Sequence, residues 1–339
     1  MSSAWFARSF VALVVTALAV LLPDGIAHAD PAGPTDYRTE VESIEPPTPE
    51  IDVDILGGDS FVQLTVADGV EVEIVGYQGE PYLWFRADGA VWENRNSPTT
   101  YQNEERYGSD APAFASADAE PDWEQVSSDG SYAWHDHRAH WMQPIRPAGL
   151  APGDQILAAN IPLLVDGRDV DVAVSSTWLP EPSRLPALAG AVIGVLAAVA
   201  GALLRRSNRS WAVVVIPIAV VAAVVGWVQF SSLPPETGPR ILWWVPAVVA
   251  VVAAVVGVAI HRRDPFWADG TVLLAGVNLL IWAFIKRDGL GAAIVPTDAP
   301  GWLDRATVGA AFTVGVGAIV VAVRAILATP GTRPAPAAT

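Results

Sequence analysis

Apolar residues are distributed very unevenly along this chain of 339 residues. Residues 30–184 mix polar and apolar side chains, whereas residues 185–327 are almost continuously apolar. The second part holds five apolar runs, each able to cross about 30 Å of hydrocarbon at about 1.5 Å per helical residue. The runs lie at roughly 185–204, 211–229, 241–260, 267–285 and 306–327. This pattern predicts a bundle of five transmembrane helices over residues 187–327.

The first part alternates apolar and polar residues with the period of two that is typical of half-buried strands, most clearly at 61–66 and 70–75. Asp-Gly pairs, which favour tight turns, occur at 68–69, 88–89, 129–130 and 166–167. The strand-like segments 161–165 and 170–174 flank the last pair, so we expect a hairpin there. Helical periodicity is missing. The fold class is therefore mixed, with an antiparallel β-sandwich-like domain over residues 51–179 followed by the helical bundle.

Shorter segments connect and flank these two domains. Residues 1–29 have a basic residue, an apolar stretch of about 13 residues and an Ala-His-Ala cleavage pattern, which predict a signal peptide, with an uncleaved anchor as the alternative. Residues 30–50 are acidic and rich in proline and predict a disordered tether. Residues 180–186 form a stiff proline-rich linker, and residues 328–339 a disordered cytoplasmic tail.

Arginines set the predicted orientation. Basic residues at 205–209 and 261–263 join apolar runs on one side, and the positive-inside rule assigns that side to the cytoplasm. Arg240, Lys286 and Arg305 fall on the other side, so the bias is modest. We therefore expect a multi-pass plasma-membrane protein with an extracytoplasmic β-domain and a cytoplasmic carboxyl terminus.

Composition excludes several classes of function. Residues 30–184 hold 29 acidic residues and eight arginines, a net charge of −21 that would repel a nucleic acid. Cysteine is absent, which removes thiolate nucleophiles and iron–sulfur clusters. Serines near the histidines lack a nucleophile-elbow pattern, so we predict no enzyme.

Ligand-type side chains concentrate in one stretch, Trp134-His-Asp-His-Arg-Ala-His-Trp-Met142. On a strand, His135 and His137 would share one face, and His140 could join them only across a bulge or turn. Imidazole with methionine suits copper, and imidazole with carboxylate suits zinc or Cu(II). The candidate metal ligands are His135, Asp136, His137, His140 and Met142.

A structural interpretation of this stretch stays open. Asp136 would pair with Arg138, and the imidazoles would bond to neighbouring carbonyl groups. The positive charge of Arg138 also opposes cation binding.

A second aromatic run, Glu80–Arg86, is typical of a core strand rather than a site. The polar segment 94–125 breaks the strand pattern, so it is either functional or disordered.

Three stretches together resemble a family of uncharacterised actinobacterial membrane proteins: residues 76–89, 94–98 and 132–142, the last carrying Trp-His-Asp-His-Arg-x-His-Trp-Met. The similarity covers most of residues 50–180. It implies a secreted β-domain with carboxyl-terminal spans and no known activity. A link of such genes to copper handling favours the metal hypothesis slightly.

Ionisable groups are scarce in the apolar runs, which disfavours transport and makes a transporter-like protein the third interpretation. Asp269 and Asn278 are the polar residues of the fourth run, and Asn278 is expected to bond to a neighbouring helix. Gly190 and Gly194 begin a small-residue stripe that suits close helix packing or self-association. The leading hypothesis is an envelope protein that binds copper, zinc or another divalent metal outside the cell. The alternative is a scaffold that contacts an envelope protein partner.

Overall fold

A computed structural model describes residues 32–238 and 240–328. The predicted signal peptide and the tail from residue 329 lie outside the described residues. An antiparallel β-domain comes first, and a helical region follows. The strands are β1 Tyr37–Glu45, β2 Ile51–Leu56, β3 Phe61–Val66, β4 Val72–Val75, β5 Pro81–Phe85, β6 Val91–Asn94, β7 Trp123–Ser127, β8 Ser131–Trp134, β9 Gln155–Val165 and β10 Arg168–Trp178. The helices are α1 Pro98–Gln102, α2 Leu185–Arg206, α3 Ala212–Ser231, α4 Val245–Ile260, α5 Pro265–Ile285 and α6 Gly301–Ala328.

Two antiparallel sheets share one core. The larger sheet has the order β1-β10-β9-β4-β5-β6-β7, and the smaller has the order β2-β3-β8. Alternate apolar residues from both sheets meet between them, including Leu64 from the smaller sheet and Ile74, Phe85 and Val172 from the larger. Burial of such side chains contributes about 1.5–3 kcal/mol each. The predicted two-layer arrangement is therefore present in the described residues.

The tether predicted over 30–50 is wrong in its central part. Residues Tyr37–Glu45 form β1, which pairs with β10 along almost its whole length. The acidic residues misled the prediction because they occupy the exposed face of an edge strand, while Thr39 points inward and is buried.

The Asp-Gly pairs serve two purposes. The pairs at 88–89 and 166–167 turn hairpins between β5 and β6 and between β9 and β10. The predicted 161–174 hairpin is thus confirmed, and Asp166 and Gly167 both have positive φ, as a type I′ turn requires. The pairs at 68–69 and 129–130 instead carry the chain from one sheet to the other.

Four helices, α2, α3, α5 and α6, are long and apolar enough to cross a membrane. The fifth apolar helix, α4, has 16 residues and falls short of that length. The glycine stripe packs within the chain: a Cβ on Gly190 would collide with the carbonyl of Ala306, and one on Gly194 with Thr313, both on α6. The stripe therefore packs α2 against α6, as the helix-packing alternative predicts, and self-association stays a prediction.

Candidate functional site

The strand expected to run through the histidine motif ends at Trp134. Residues 136–139 then form a turn, in which the backbone N–H of Ala139 donates to the carbonyl of Asp136. This turn brings His140 to the other two histidines: its ring centroid lies 5.9 Å from that of His135 and 5.3 Å from that of His137. The structure thus collects three of the five predicted ligands through a turn, not through a shared strand face.

Asp136 is fully buried and is committed to other partners. Its carboxylate accepts hydrogen bonds from Arg138 Nε at 2.8 Å, from Arg138 Nη2 at 2.7 Å and from Trp134 Nε1 at 3.0 Å. Burial pushes the pKa of Asp136 upward, but the Arg138 guanidinium and these hydrogen bonds bring it below its ordinary value. The carboxylate therefore serves as the counter-ion of Arg138 and is not available as a metal ligand.

The segment 94–125, which sequence patterns left as functional or disordered, covers the histidines. Its carbonyl groups face two imidazoles: Glu105 O lies 3.3 Å from His137 Nε2, and Arg106 O lies 2.7 Å from His140 Nε2. His137 also stacks on Tyr77, whose hydroxyl accepts from the His137 backbone N–H at 2.7 Å. No local sequence pattern signals these contacts, because they join residues more than 30 positions apart.

His140 is the most unusual of the three histidines. It is only 1% exposed, and its Nδ1 atom has no hydrogen-bond partner among the described residues. Since Nε2 must carry the proton that bonds to Arg106 O, Nδ1 carries a lone pair. Burial, with the nearby Arg106 charge, lowers the pKa of His140 to about 3. His140 is therefore a neutral imidazole whose Nδ1 lone pair accepts no hydrogen bond from the described residues.

Met142 approaches the same place from the end of the motif. The Met142 methyl carbon and His137 Cε1 lie 3.7 and 3.3 Å from the position that a Cβ would take on Gly108. As the side chains stand, no group of three or more His, Asp or Glu residues within 32–238 and 240–328 is arranged to hold a metal ion.

A cavity of about 580 Å³ lies beside His135 and was not predicted from the sequence. Its walls carry four glutamates, Glu93, Glu104, Glu124 and Glu236. Glu236 belongs to the connection between α3 and α4, so the helical region closes one side of a cavity in the β-domain. Burial raises the pKa of Glu93 and of Glu236.

The second run proposed from the sequence, Glu80–Arg86, forms the core strand β5, as expected.

Charges in the helical region are paired at both ends. Lys286 Nζ lies 2.5 Å from Asp304 Oδ2, and both side chains are buried, a pair that sequence patterns missed because the two residues lie 18 positions apart on different elements. At the opposite end, Arg205 donates to both oxygens of Asp269 at 2.6 and 2.9 Å. The interhelical bond expected of Asn278 is wrong, since its amide donates to Leu274 O of its own helix.

Comparisons with protein-family models, with curated proteins and with solved structures found no match to this chain. The resemblance to actinobacterial membrane proteins therefore stays a prediction, and the function has to be argued from the geometry alone.

Proposed function

We propose that this chain is a multi-pass envelope protein whose extracytoplasmic β-domain binds a copper or zinc ion at the histidine cluster. One observation carries the proposal: the buried, unprotonated Nδ1 of His140, without a described partner, lies in a cluster with the His135 and His137 rings. Buried polar atoms usually have a hydrogen-bond partner, and an unprotonated imidazole nitrogen without one is able to coordinate a metal ion. Met142 adds a soft donor that favours copper.

The acidic surface supports the same proposal. Four glutamates and one arginine line the cavity next to His135, and the arginine pairs with two of the glutamates. Acidic groups therefore remain in excess in the walls, and an excess of negative charge attracts cations. The Arg106 charge, which opposes a cation near His140, is paired with the buried Asp59 at 2.5 Å. The local field is therefore less positive than the arginines alone suggest.

The proposed orientation places the β-domain outside and five helices across the bilayer. A 16-residue α4 extends about 24 Å, and a helical turn at Ile241–Trp243 precedes it. Trp243, just before α4, packs against a cluster formed by Ala32, Phe61, Ala133 and Leu233, while His261 follows the far end of α4. These contacts favour α4 as a short fifth span.

A scaffold without metal is the second candidate. It is favoured by the hydrogen bonds of His137 and His140 to backbone carbonyls of the segment 94–125. Holding this segment in place would be a sufficient structural role for both histidines. The two candidates differ in what a metal does to the purified protein.

The discriminating experiment is metal analysis of the full-length protein in detergent. We expect one equivalent of Cu(II) or Zn(II) to remain after gel filtration, and His140→Gln with His137→Gln to lower the affinity by about 100-fold or more. The matched control is His261→Gln, since His261 lies at the far end of α4. A wild-type protein that retains no more metal than the double variant would favour the scaffold instead.

A further inference from the structure

The cavity beside His135 lies between the two domains and has the size of a small-molecule site. Its volume is about 580 Å³, within the range of about 300–1,000 Å³ that is typical of such sites. The β-domain supplies most of its wall, and Pro235 and Glu236 of the connection between α3 and α4 close the remaining side. A molecule in this cavity would therefore contact both domains.

The charges in the wall are only partly compensated. Arg95 pairs with Glu93 at 2.7 Å and with Glu124 at 3.1 Å. One guanidinium meets two carboxylates in this group, so the group keeps one excess negative charge. Its members are committed to one another, and we do not count them as ligand-binding groups.

Glu104 and Glu236 are the carboxylates that remain for a ligand. Neither forms an ion pair with a basic residue within 32–238 and 240–328, and Arg240 donates to Leu233 O at 2.9 Å rather than to Glu236. No third acidic or histidine side chain of the described residues joins them in a group that could hold a metal ion. Two carboxylates without further ligands suit an ammonium group, which requires no fixed coordination geometry, better than a metal ion.

A buried hydrogen-bond donor also lines the cavity. Asn103 is 4% exposed, and the Tyr77 hydroxyl donates to its Oδ1 at 2.5 Å. The Asn103 Nδ2 atom has no hydrogen-bond partner among the described residues. Since a buried donor usually has an acceptor, an oxygen atom of a ligand would complete the bonding of this amide.

Aromatic side chains form another part of the wall. Tyr82, Tyr132 and Trp134 all line the cavity, and Tyr82 and Trp134 are buried. Aromatic rings attract ammonium groups through their π-electrons and pack against apolar ring faces. The wall therefore combines free carboxylates, one amide donor and aromatic surface.

We propose that this cavity binds a hydroxylated organic amine of the size of a sugar, with its ammonium group at Glu104 and Glu236 and a hydroxyl oxygen at Asn103 Nδ2. The ring of the ligand packs against the aromatic side chains of the wall. Each polar group of such a ligand meets a protein group that has no other partner. None of these residues is a candidate metal ligand, so the inference does not depend on metal binding.

Isothermal titration calorimetry of the full-length protein, in detergent with EDTA, tests the proposal with three matched probes. Glucosamine carries both the amine and the hydroxyl groups, glucose replaces the amine by a hydroxyl group, and cyclohexylamine keeps the amine without hydroxyl groups. We expect the affinity for glucosamine to exceed that for either other probe by about tenfold or more, since each of them lacks one kind of polar contact.

Paired variants locate the ammonium group. Glu104→Gln with Glu236→Gln keeps the shape of both side chains and should lower the affinity for glucosamine by about tenfold or more. The matched control, Glu105→Gln with Glu120→Gln, removes the same charge from exposed positions outside the cavity and should retain the affinity. Equal affinity for glucose or cyclohexylamine, no binding of glucosamine, or the same affinity in both double variants would overturn the proposal. The comparison of probes uses the wild-type chain, so it holds even if a variant fails to fold.

Discussion

At the scale of single residues, the histidine motif combines an ion pair with saturated hydrogen bonding and a histidine with one unpaired nitrogen. Asp136 and Arg138 form a buried pair that also holds Trp134, and Arg138 Nη1 donates to Val75 O at 3.0 Å. Breaking such a pair leaves an uncompensated buried charge, which costs about 3–5 kcal/mol. His140, beside it, keeps a bare nitrogen. The rigid pair therefore fixes the turn that positions the imidazole.

The buried histidines predict a loss of stability in acid. Folding lowers the pKa of His140 from 6.5 to about 3 and also lowers that of His137. Below pH 6.5 the unfolded state therefore binds protons at these residues that the folded state does not bind. As the pH is lowered from 6.5 to 3, the free energy of unfolding should decrease, by up to about 1.4 kcal/mol per pH unit for His140. Thermal unfolding followed by tryptophan fluorescence in metal-free buffer measures this decrease.

His140→Gln keeps a donor for Arg106 O but cannot titrate, so its stability should depend less steeply on pH. His261→Gln, far from the β-domain, should retain the wild-type slope. An unchanged slope in the His140 variant would show that this residue does not titrate as its burial requires.

At the scale of elements, the contact of α2 with α6 depends on small residues. Gly190 and Gly194 meet the α6 backbone at Ala306 and Ala310, with no room for a larger side chain. Two helices that approach this closely gain dispersion contacts along their whole length, the main attraction between helices in lipid.

Gly190→Leu with Gly194→Leu should therefore destabilise the monomer, by about 1–3 kcal/mol for each forced overpacking. The expected result is a lower melting temperature in detergent with no change of oligomeric state. Gly270→Ala is the matched control, because a Cβ there meets only ordinary contact with Trp267. Dissociation of a dimer at unchanged melting temperature would instead place the stripe between chains.

Sequence patterns identified the elements whose evidence is local. β3 and the β9–β10 hairpin follow from alternation and from turn chemistry, and four of the five apolar runs follow from length. They missed β1, because an acidic edge strand is specified by its pairing with β10 and not by its own composition. They identified the candidate ligands but not their arrangement, because the covering carbonyls of Glu105 and Arg106 come from a distant segment.

At the scale of the whole molecule, the β-domain and the helices are joined at several points. Thr35 pairs with Ile294 in the connection between α5 and α6, and Asp36 accepts from the backbone N–H of Ala293 at 3.0 Å. Glu236 lines the β-domain cavity from the connection between α3 and α4. These connections, together with the linker at 179–184, lie on one side of the bundle.

That arrangement predicts the outcome of topology mapping. Reporter fusions at Arg184, Glu236 and Pro296 should be extracytoplasmic, and fusions at Ser207 and Arg263 cytoplasmic, because arginines cluster at the latter two connections. Alkaline phosphatase and green fluorescent protein report the two sides. A cytoplasmic signal at Arg184 would reverse the proposed orientation, and equal signals at Glu236 and Arg263 would mean that α4 does not cross.

The pairing of Thr35 with Ile294 has a consequence for how any partner reaches this protein. A domain joined by a single flexible linker moves freely and meets molecules throughout the surrounding solution. This domain contacts the helical region at its first described residues and is joined to it again where β10 leads into α2, so its distance from the helices and its orientation are both fixed. Its acidic cavity opens beside the connection from α3 to α4, close to the ends of the helices. A partner anchored in the same plane would therefore reach that cavity by a search in two dimensions, along the plane in which the helices end.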